Sequence, residues 1–307
     1  MLDRPLLSIC IPTWNRAASL KVTLESIIDQ DEFDESIEVV VSDNASTDNT
    51  AEIIKSFCPR YANIKYYRNE KNIKDANFPI VLSYAHGYYV KLLSDNKPLN
   101  PCFLHNLKEA LNAKPAIVFH LNKANVPIRY YYTRNIDKFI QTASFYSTWL
   151  PAYTFRKDLL DAVDIFNINT AGQLFQTELA MKILSMDPRC TFIIGDSFHS
   201  LEPMKKGGYN IFKVFIDNYL VLLKGTPGIS LAYYLLEKKK LLLGFILPWK
   251  ISISRQPEKY YFKSSGLPEL ILKYYKFDII SLFLFSCTLC YCWLADRVEW
   301  FRGNITY

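Results

Sequence analysis

The chain has 307 residues, half of them hydrophobic and 21% charged, a balance that excludes a mainly disordered polymer and allows an α/β domain with an extension, or two domains. A formal charge of +6 with dispersed lysines argues against a nucleic-acid surface and leaves attraction to an anionic membrane face open. The seven cysteines lack framework spacing, and Cys287, Cys290 and Cys292 lie in an apolar run without a histidine. They therefore read as reduced thiols and small apolar residues rather than disulfides or zinc ligands. Met1 to Pro5 leads straight into an apolar strand without a basic-plus-apolar leader, so a cytoplasmic location is expected.

The first strand, from Leu7, ends on Pro12 and Thr13, with the amide of Asn15 and the guanidinium of Arg16 just beyond. Leu20, Leu24, Ile27 and Ile28 then recur at helical spacing. A β-branched strand over Ile37–Ser42 stops on Asp43 and Asn44, and Ser46, Thr47 and Asp48 supply capping groups for a helix ending near Phe57. Further along, the pattern predicts a strand over Ile64–Arg68, a helix from Asp75 to His86 closed by Gly87, and a strand from Tyr88 to Ser94. A helix over Asn100–Ala113 and a strand over Ala116–Leu121 follow. This alternation predicts a mainly parallel, doubly wound, Rossmann-like α/β sheet. Polar groups at the carboxyl ends of its strands would define a nucleotide crevice.

The pattern weakens from 126 to 215 and becomes helical from 216 to 250, without repeats. Ile279 to Ala295 is 17 residues without a charge, at the lower limit for crossing a bilayer. It reads as a buried helix, an in-plane membrane helix or a span. Asp278 and Asp296 bracket it, Lys276 and Arg297 lie outside, and Tyr291, Trp293 and Trp300 fall near one end.

The segments Ile11-Pro-Thr-Trp-Asn-Arg16 and Ser42-Asp-Asn-Ala-Ser-Thr-Asp48, with Leu93-Ser-Asp-Asn96 at a later strand end, resemble the motifs of family 2 glycosyltransferases, inverting GT-A enzymes that use nucleotide-activated sugars. The resemblance covers roughly residues 5–125. Within that family the chain looks most like bacterial transferases of surface polysaccharide assembly, such as the abequosyltransferase-like group. It implies a GT-A catalytic domain over 1–215, divided into a nucleotide-binding half to 125 and an acceptor-binding half from 126. A helical, apolar region over 216–307 would follow. By this resemblance Pro12, Thr13, Asn15, Arg16, Asp43, Asn44, Asn77, Ser94, Asp95, Asn96 and Lys97 face the nucleotide sugar. Asn15 and Arg16 also read as a helix cap and a surface charge, and Asp43 as an Asx turn.

The family usually places two or three aspartates where this chain has Asp95-Asn96-Lys97. A divalent metal, Mn2+ or Mg2+, would rest on Asp95 alone among carboxylates, with Lys97 either replacing part of its charge at the diphosphate or pointing to solvent. The segment Asn69 to Phe78 lacks the glycine common in relatives, and Asp75 stands beside Asn77 as a donor-facing candidate. Glu178 leads as general base, with an i, i+4 pair to Lys182 as its other reading. Asp161, Asp164 and Asp196 are reserves, and His120 and His199 read as structural histidines. Lys205 to Tyr209 reads as a closing loop hinged at Gly207 and Gly208, or as a turn.

The expected activity is transfer of a sugar from a nucleotide donor to an oligosaccharide, lipid-linked at the inner face of a membrane, in O-antigen or capsule synthesis. The competing expectation is a catalytically weakened GT-A protein that binds donor or scaffolds an assembly complex.

Overall fold

A computed structural model describes residues 4–199, 201 and 206–303, without the side chains of 206, 207 and 295–303. Lys205, and the side chains of Asp296, Arg297 and Trp300 at the flank of the apolar stretch, lie outside the described residues. The chain forms two compact units, Met1–Glu202 and Pro203–Tyr307.

The first unit runs β1 (Leu7–Thr13), α1 (Ala17–Ile28), β2 (Ile37–Asp43), α2 (Thr50–Phe57), β3 (Ile64–Arg68), α3 (Asn77–Ser83), β4 (Tyr89–Leu92), α4 (Phe103–Leu111) and β5 (Ile117–Asn122). It continues through β6 (Arg129–Thr133), α5 (Ile136–Ala143), β7 (Tyr153–Arg156), α6 (Lys157–Asp161), α7 (Phe175–Met186) and β8 (Cys190–Gly195). One eight-stranded sheet has the order β3-β2-β1-β4-β7-β5-β8-β6. Six strands share a direction, as the alternating pattern predicts, while β7 and β6 pair antiparallel with their neighbours. Every residue of β2 is buried, which its run of Val39, Val40 and Val41 requires of a central parallel strand. The apolar residues of α1 close its inner face, with Leu20, Leu24 and Ile27 fully buried.

Gly87 does not cap α3, which ends at Ser83. It lets the chain pass close to β1, where an added Cβ would lie 2.6 Å from the Ser8 backbone nitrogen. Its N–H donates to Ser8 Oγ at 2.8 Å, and Ser8 in turn donates to Glu38 at 2.5 Å. Below the strand ends, Lys91 is fully buried on β4, its ammonium donating to the carbonyls of Pro151 and Tyr153 and facing the ring of Phe198 at 5.1 Å. His120 stacks on Phe103 at 4.8 Å and meets Ser197 Oγ through Nδ1 at 3.3 Å, the structural role expected of it.

The second unit consists of β9 (Lys206–Asn210), α8 (Tyr219–Gly225), α9 (Leu231–Leu241), α10 (Leu247–Arg255), β10 (Tyr260–Lys263), α11 (Leu267–Tyr275) and α12 (Ile279–Gly303). β9 and β10 pair in parallel, with Gly207 opposite Tyr261. Gly207 and Gly208 therefore lie within a strand rather than in a hinged loop or turn. Stretches of π-helix at Lys213–Asn218 and Leu242–Ile246 interrupt the helical run. No helix among the described residues is long and apolar enough to cross a membrane.

Burial pushes the Lys91 ammonium well below its ordinary value of 10.5. The unfolded chain therefore holds this proton more tightly than the native one, and stability rises with pH between the lowered native value and the ordinary one. Lys91→Met should flatten the rise of Tm between pH 7 and 9 measured by scanning calorimetry. An unchanged slope would show that Lys91 is already charged at no cost.

Candidate functional site

The sheet order changes direction at β1, whose neighbours are β2 on one side and β4 on the other. A crevice at the carboxyl ends of such strands is where an open α/β sheet receives its ligand. β1 stays paired with β2 through Thr13 opposite Asp43. Its pairing with β4 ends at Cys10 opposite Leu92, followed by the Leu93 N–H donating to the Cys10 carbonyl at 2.9 Å. Pro12, half-buried and without an N–H, thus stands beyond the β4 ladder.

Across that opening Thr13 Oγ1 donates to Asp95 Oδ2 at 2.9 Å, and Thr23 Oγ1 on α1 donates to the Asp95 carbonyl at 2.9 Å. Burial raises the Asp95 carboxyl above its ordinary range, against the opposing pull of the Thr13 hydrogen bond and the Arg16 charge. Ser94, Asn96 and Lys97 are half-buried beside it. The Lys97 N–H donates to the Ser94 carbonyl at 3.2 Å, and its ammonium lies 5.9 Å from the centre of the Trp149 ring.

Asp43 is fully enclosed. One carboxylate oxygen accepts the Ser46 N–H at 2.8 Å, and the other accepts both the Tyr66 hydroxyl and Arg68 Nη1 at 2.9 Å. Arg68 Nη2 also donates to the Ser46 carbonyl at 2.7 Å. The loops after β1 and β2 are knitted together. Asn15, at φ 51°, donates its N–H to Ser46 Oγ at 2.9 Å and accepts the Thr47 N–H on its side-chain oxygen at 2.7 Å. Asp48 accepts the N–H of Ala17, the first residue of α1, and that of Thr50, the first of α2. Of the three capping groups expected there only Asp48 takes helix-start N–H groups, one from each helix, while Ser46 and Thr47 bond to Asn15 and Arg16 makes no side-chain cap.

An amide network replaces the glycine turn between β3 and α3. Asn44 donates to Asn72 Oδ1 at 2.9 Å and accepts from the Asn69 side chain and the Ile73 N–H. Asn77, only 2% exposed, donates to the Ser42 carbonyl and accepts from Ser42 Oγ at 2.6 Å and from Asn69 at 3.0 Å. Asp75 accepts from Gln173 Nε2 at 2.5 Å, and the Phe78 and Phe175 rings stack at 6.0 Å. These contacts place the start of α7 beside the start of α3. Burial raises the Asp75 carboxyl, against the Gln173 hydrogen bond.

Glu178 lies in the first turn of α7, its carboxylate 25% exposed and 3.5 Å from Lys182 Nζ. Asp161 pairs with Lys157, and Asp196 accepts the Asn125 N–H at 3.1 Å. Asp164 precedes a short turn over Ile165–Asn167, and the His199 N–H donates to the Pro98 carbonyl at 2.9 Å. Tyr66, Arg68 and Gln173 were not singled out from the sequence. The first two sit at the carboxyl end of the strand next to β2, so extending the strand-end rule by one strand finds them. Among the described residues no group of three or more His, Cys, Asp or Glu side chains is placed to hold a metal ion.

Residues 8–184 match the model of the family described as Glycosyl transferase family 2. The chain is 30% identical over 209 residues to an abequosyltransferase of Salmonella typhimurium, covering 60% of this chain and 62% of that protein. It is 33% identical over 117 residues to a GalNAc(5)-diNAcBac-PP-undecaprenol beta-1,3-glucosyltransferase of Campylobacter jejuni, covering 38% and 37% of the two chains. It therefore spans less than two thirds of these relatives. The fold is similar to that of S. aureus TarS 1-349 in complex with UDP-GlcNAc, at a TM-score of 0.60 and 17% identity, covering 81% of this chain and 80% of that one. It is also similar to a mannosyltransferase of Pyrobaculum calidifontis in complex with GDP-Man and Mn2+, at a TM-score of 0.56 and 16% identity, covering 97% and 87%.

Asp43→Ala leaves the Tyr66 hydroxyl, the Ser46 N–H and Arg68 without their acceptor. It should lower the unfolding free energy by about 1–3 kcal/mol, read as a lower urea midpoint at unchanged slope. Arg68→Met should lower the midpoint less, because that side chain is 43% exposed and the Tyr66 and Ser46 donors to Asp43 remain.

Proposed function

The chain belongs to glycosyl transferase family 2, and from that membership we propose an inverting transferase that moves a sugar from a nucleotide-sugar donor to a lipid-linked oligosaccharide in surface polysaccharide synthesis. The observation that carries the reading is the convergence of Thr13, Asp43 and Asp95 at one switch point of the sheet. The relative whose name carries a PP-undecaprenol group supports the acceptor class, and contact with the inner face of the cytoplasmic membrane follows from that acceptor. In this proposal residues 1–125 hold the nucleotide and the remainder of the first unit the acceptor.

In this reading the base and ribose lie against Pro12, Thr13 and Asn15, with the enclosed Asp43 fixing the loop behind them and Asn44 and Asn77 shaping the wall. The diphosphate faces Ser94, Asp95, Asn96, Lys97 and Arg16. Glu178 takes the proton of the acceptor hydroxyl as its oxygen bonds to the anomeric carbon. The bond from that carbon to the diphosphate breaks on the opposite face, and its electron pair leaves with the phosphate oxygen. Asp95 is the residue that would hold Mn2+ or Mg2+, which fits a single carboxylate only by taking its other ligands from phosphate and water. Such an ion supplies positive charge to the departing diphosphate. Lys97 supplies charge from the protein itself.

The lone carboxylate also favours a second reading, a catalytically weakened protein that binds donor or scaffolds a polysaccharide complex. A panel of nucleotide sugars assayed for hydrolysis and transfer, with and without Mn2+, separates the two. Turnover of one donor class is expected, with Asp95→Asn lowering kcat/KM by roughly 10²-fold or more. Glu178→Gln should lower transfer without weakening nucleotide binding. Lys97→Ala should weaken nucleoside diphosphate more than free nucleoside. Tight donor binding without turnover, indifferent to Mn2+, supports the scaffold instead.

A further inference from the structure

α12 leaves much of its large apolar surface outward. Ser281, Phe285, Thr288 and Cys292, at spacings of four, three and four, form one buried stripe, while Ile280 is 68%, Phe283 65% and Trp293 57% exposed. A helix at a water-facing surface buries its large apolar side chains and exposes its small polar ones. Here Phe285 is buried and Ser286, Cys287 and Cys290 are exposed, but Ile280, Phe283 and Trp293 leave a large apolar surface outward, as on a helix that meets an apolar boundary. No charged residue interrupts Ile279 to Leu294. Thr288 settles its hydroxyl on the Leu284 carbonyl at 2.9 Å, so the buried stripe leaves this group satisfied.

Charge is distributed in the same sense. Residues 203–307 carry 15 lysines and arginines against 7 acidic residues, a net of +8, whereas residues 1–202 carry 21 against 23, a net of −2. Cations flank the apolar face. Lys276 lies 4.9 Å from the centre of the Phe277 ring, which is 90% exposed, and Arg255 donates to the Tyr291 hydroxyl at 3.4 Å. Lys239 and Lys238 act on Asp278 at the start of the helix, after the dominant hydrogen bond from Ser281.

We propose that the outward face of α12, with Lys239, Lys276 and Arg255 at its margins, docks in the plane of an anionic lipid bilayer. Large apolar side chains enter the acyl boundary, while the cations meet the headgroups. The inference rests on the membrane contact proposed above and assigns it a surface.

Co-sedimentation of the full chain with vesicles of phosphatidylglycerol and phosphatidylethanolamine tests it, against neutral phosphatidylcholine vesicles. The expected result is binding to the anionic vesicles alone, weakened by high salt. Ile280→Ser/Phe283→Ser/Trp293→Ser should reduce binding tenfold or more on an order-of-magnitude scale. Lys239→Gln/Lys276→Gln should reduce it by about fivefold per cation. Circular dichroism checks that each variant keeps its helix content, and the charge pair keeps the test decisive if the apolar triple unfolds. Equal binding to neutral vesicles, no vesicle binding, or unaltered binding by folded variants overturns the proposal. Retention on immobilised nucleic acid without vesicle binding overturns it in favour of a polyanion surface. Donor hydrolysis in vesicle-free buffer is read in parallel. Its absence with vesicle binding intact counts against the transferase reading alone, and hydrolysis without vesicle binding counts against the docking surface alone.

Discussion

The parting of β1 from β4 after Cys10 governs the candidate site. β1 remains hydrogen-bonded to β2 as far as Thr13, while its other edge loses its partner after Leu93. Pro12 stands on that stretch with no N–H to leave orphaned, so a residue poorly suited to a central strand suits the place where the ladder has opened. The gap is bridged by side chains instead, Thr13 and Thr23 both donating to Asp95. The Thr13 hydroxyl fixes the orientation of the carboxylate, and the Thr23 hydroxyl on α1 holds the Asp95 main-chain carbonyl.

The parallel core was legible because its signals are local. β2 and β3 begin and end within a residue of the sequence expectation, since a run of β-branched residues closed by polar groups has few other solutions. The helices begin later than expected, α2 at Thr50 and α4 at Phe103, the latter preceded by Cys102 in the left-handed region. The antiparallel placement of β6 and β7 was not legible. Direction depends on which edge a distant strand joins, and neither Arg129–Thr133 nor Tyr153–Arg156 encodes that locally. Thr13, Asp43 and Asp95 could be named from their strand ends. The partners of Asp43 belong to a third strand whose neighbour is set by sheet order, so Tyr66 and Arg68 escaped notice.

α12 presents the same problem in another form. A segment that is apolar on all sides carries little periodicity, and the side that turns inward is chosen by fit, here of Ser281, Phe285, Thr288 and Cys292. Sequence identified the stretch. Only the packed structure distinguishes its inner stripe from its outer face.

The first unit must hold an anionic donor, in the function proposed here, while carrying a net charge of −2. Long-range attraction cannot do this, so a few local charges must, and the site is arranged accordingly. Arg16 bears on Asp95, Lys97 stands beside it, and Asp43 already holds Arg68. A carboxylate offers about four acceptor positions. Those of Asp43 are taken up by Ser46, Tyr66 and Arg68, and its side chain is fully enclosed. Burial also favours the neutral form of the Asp95 carboxyl, which lessens its repulsion of a diphosphate when no cation is bound.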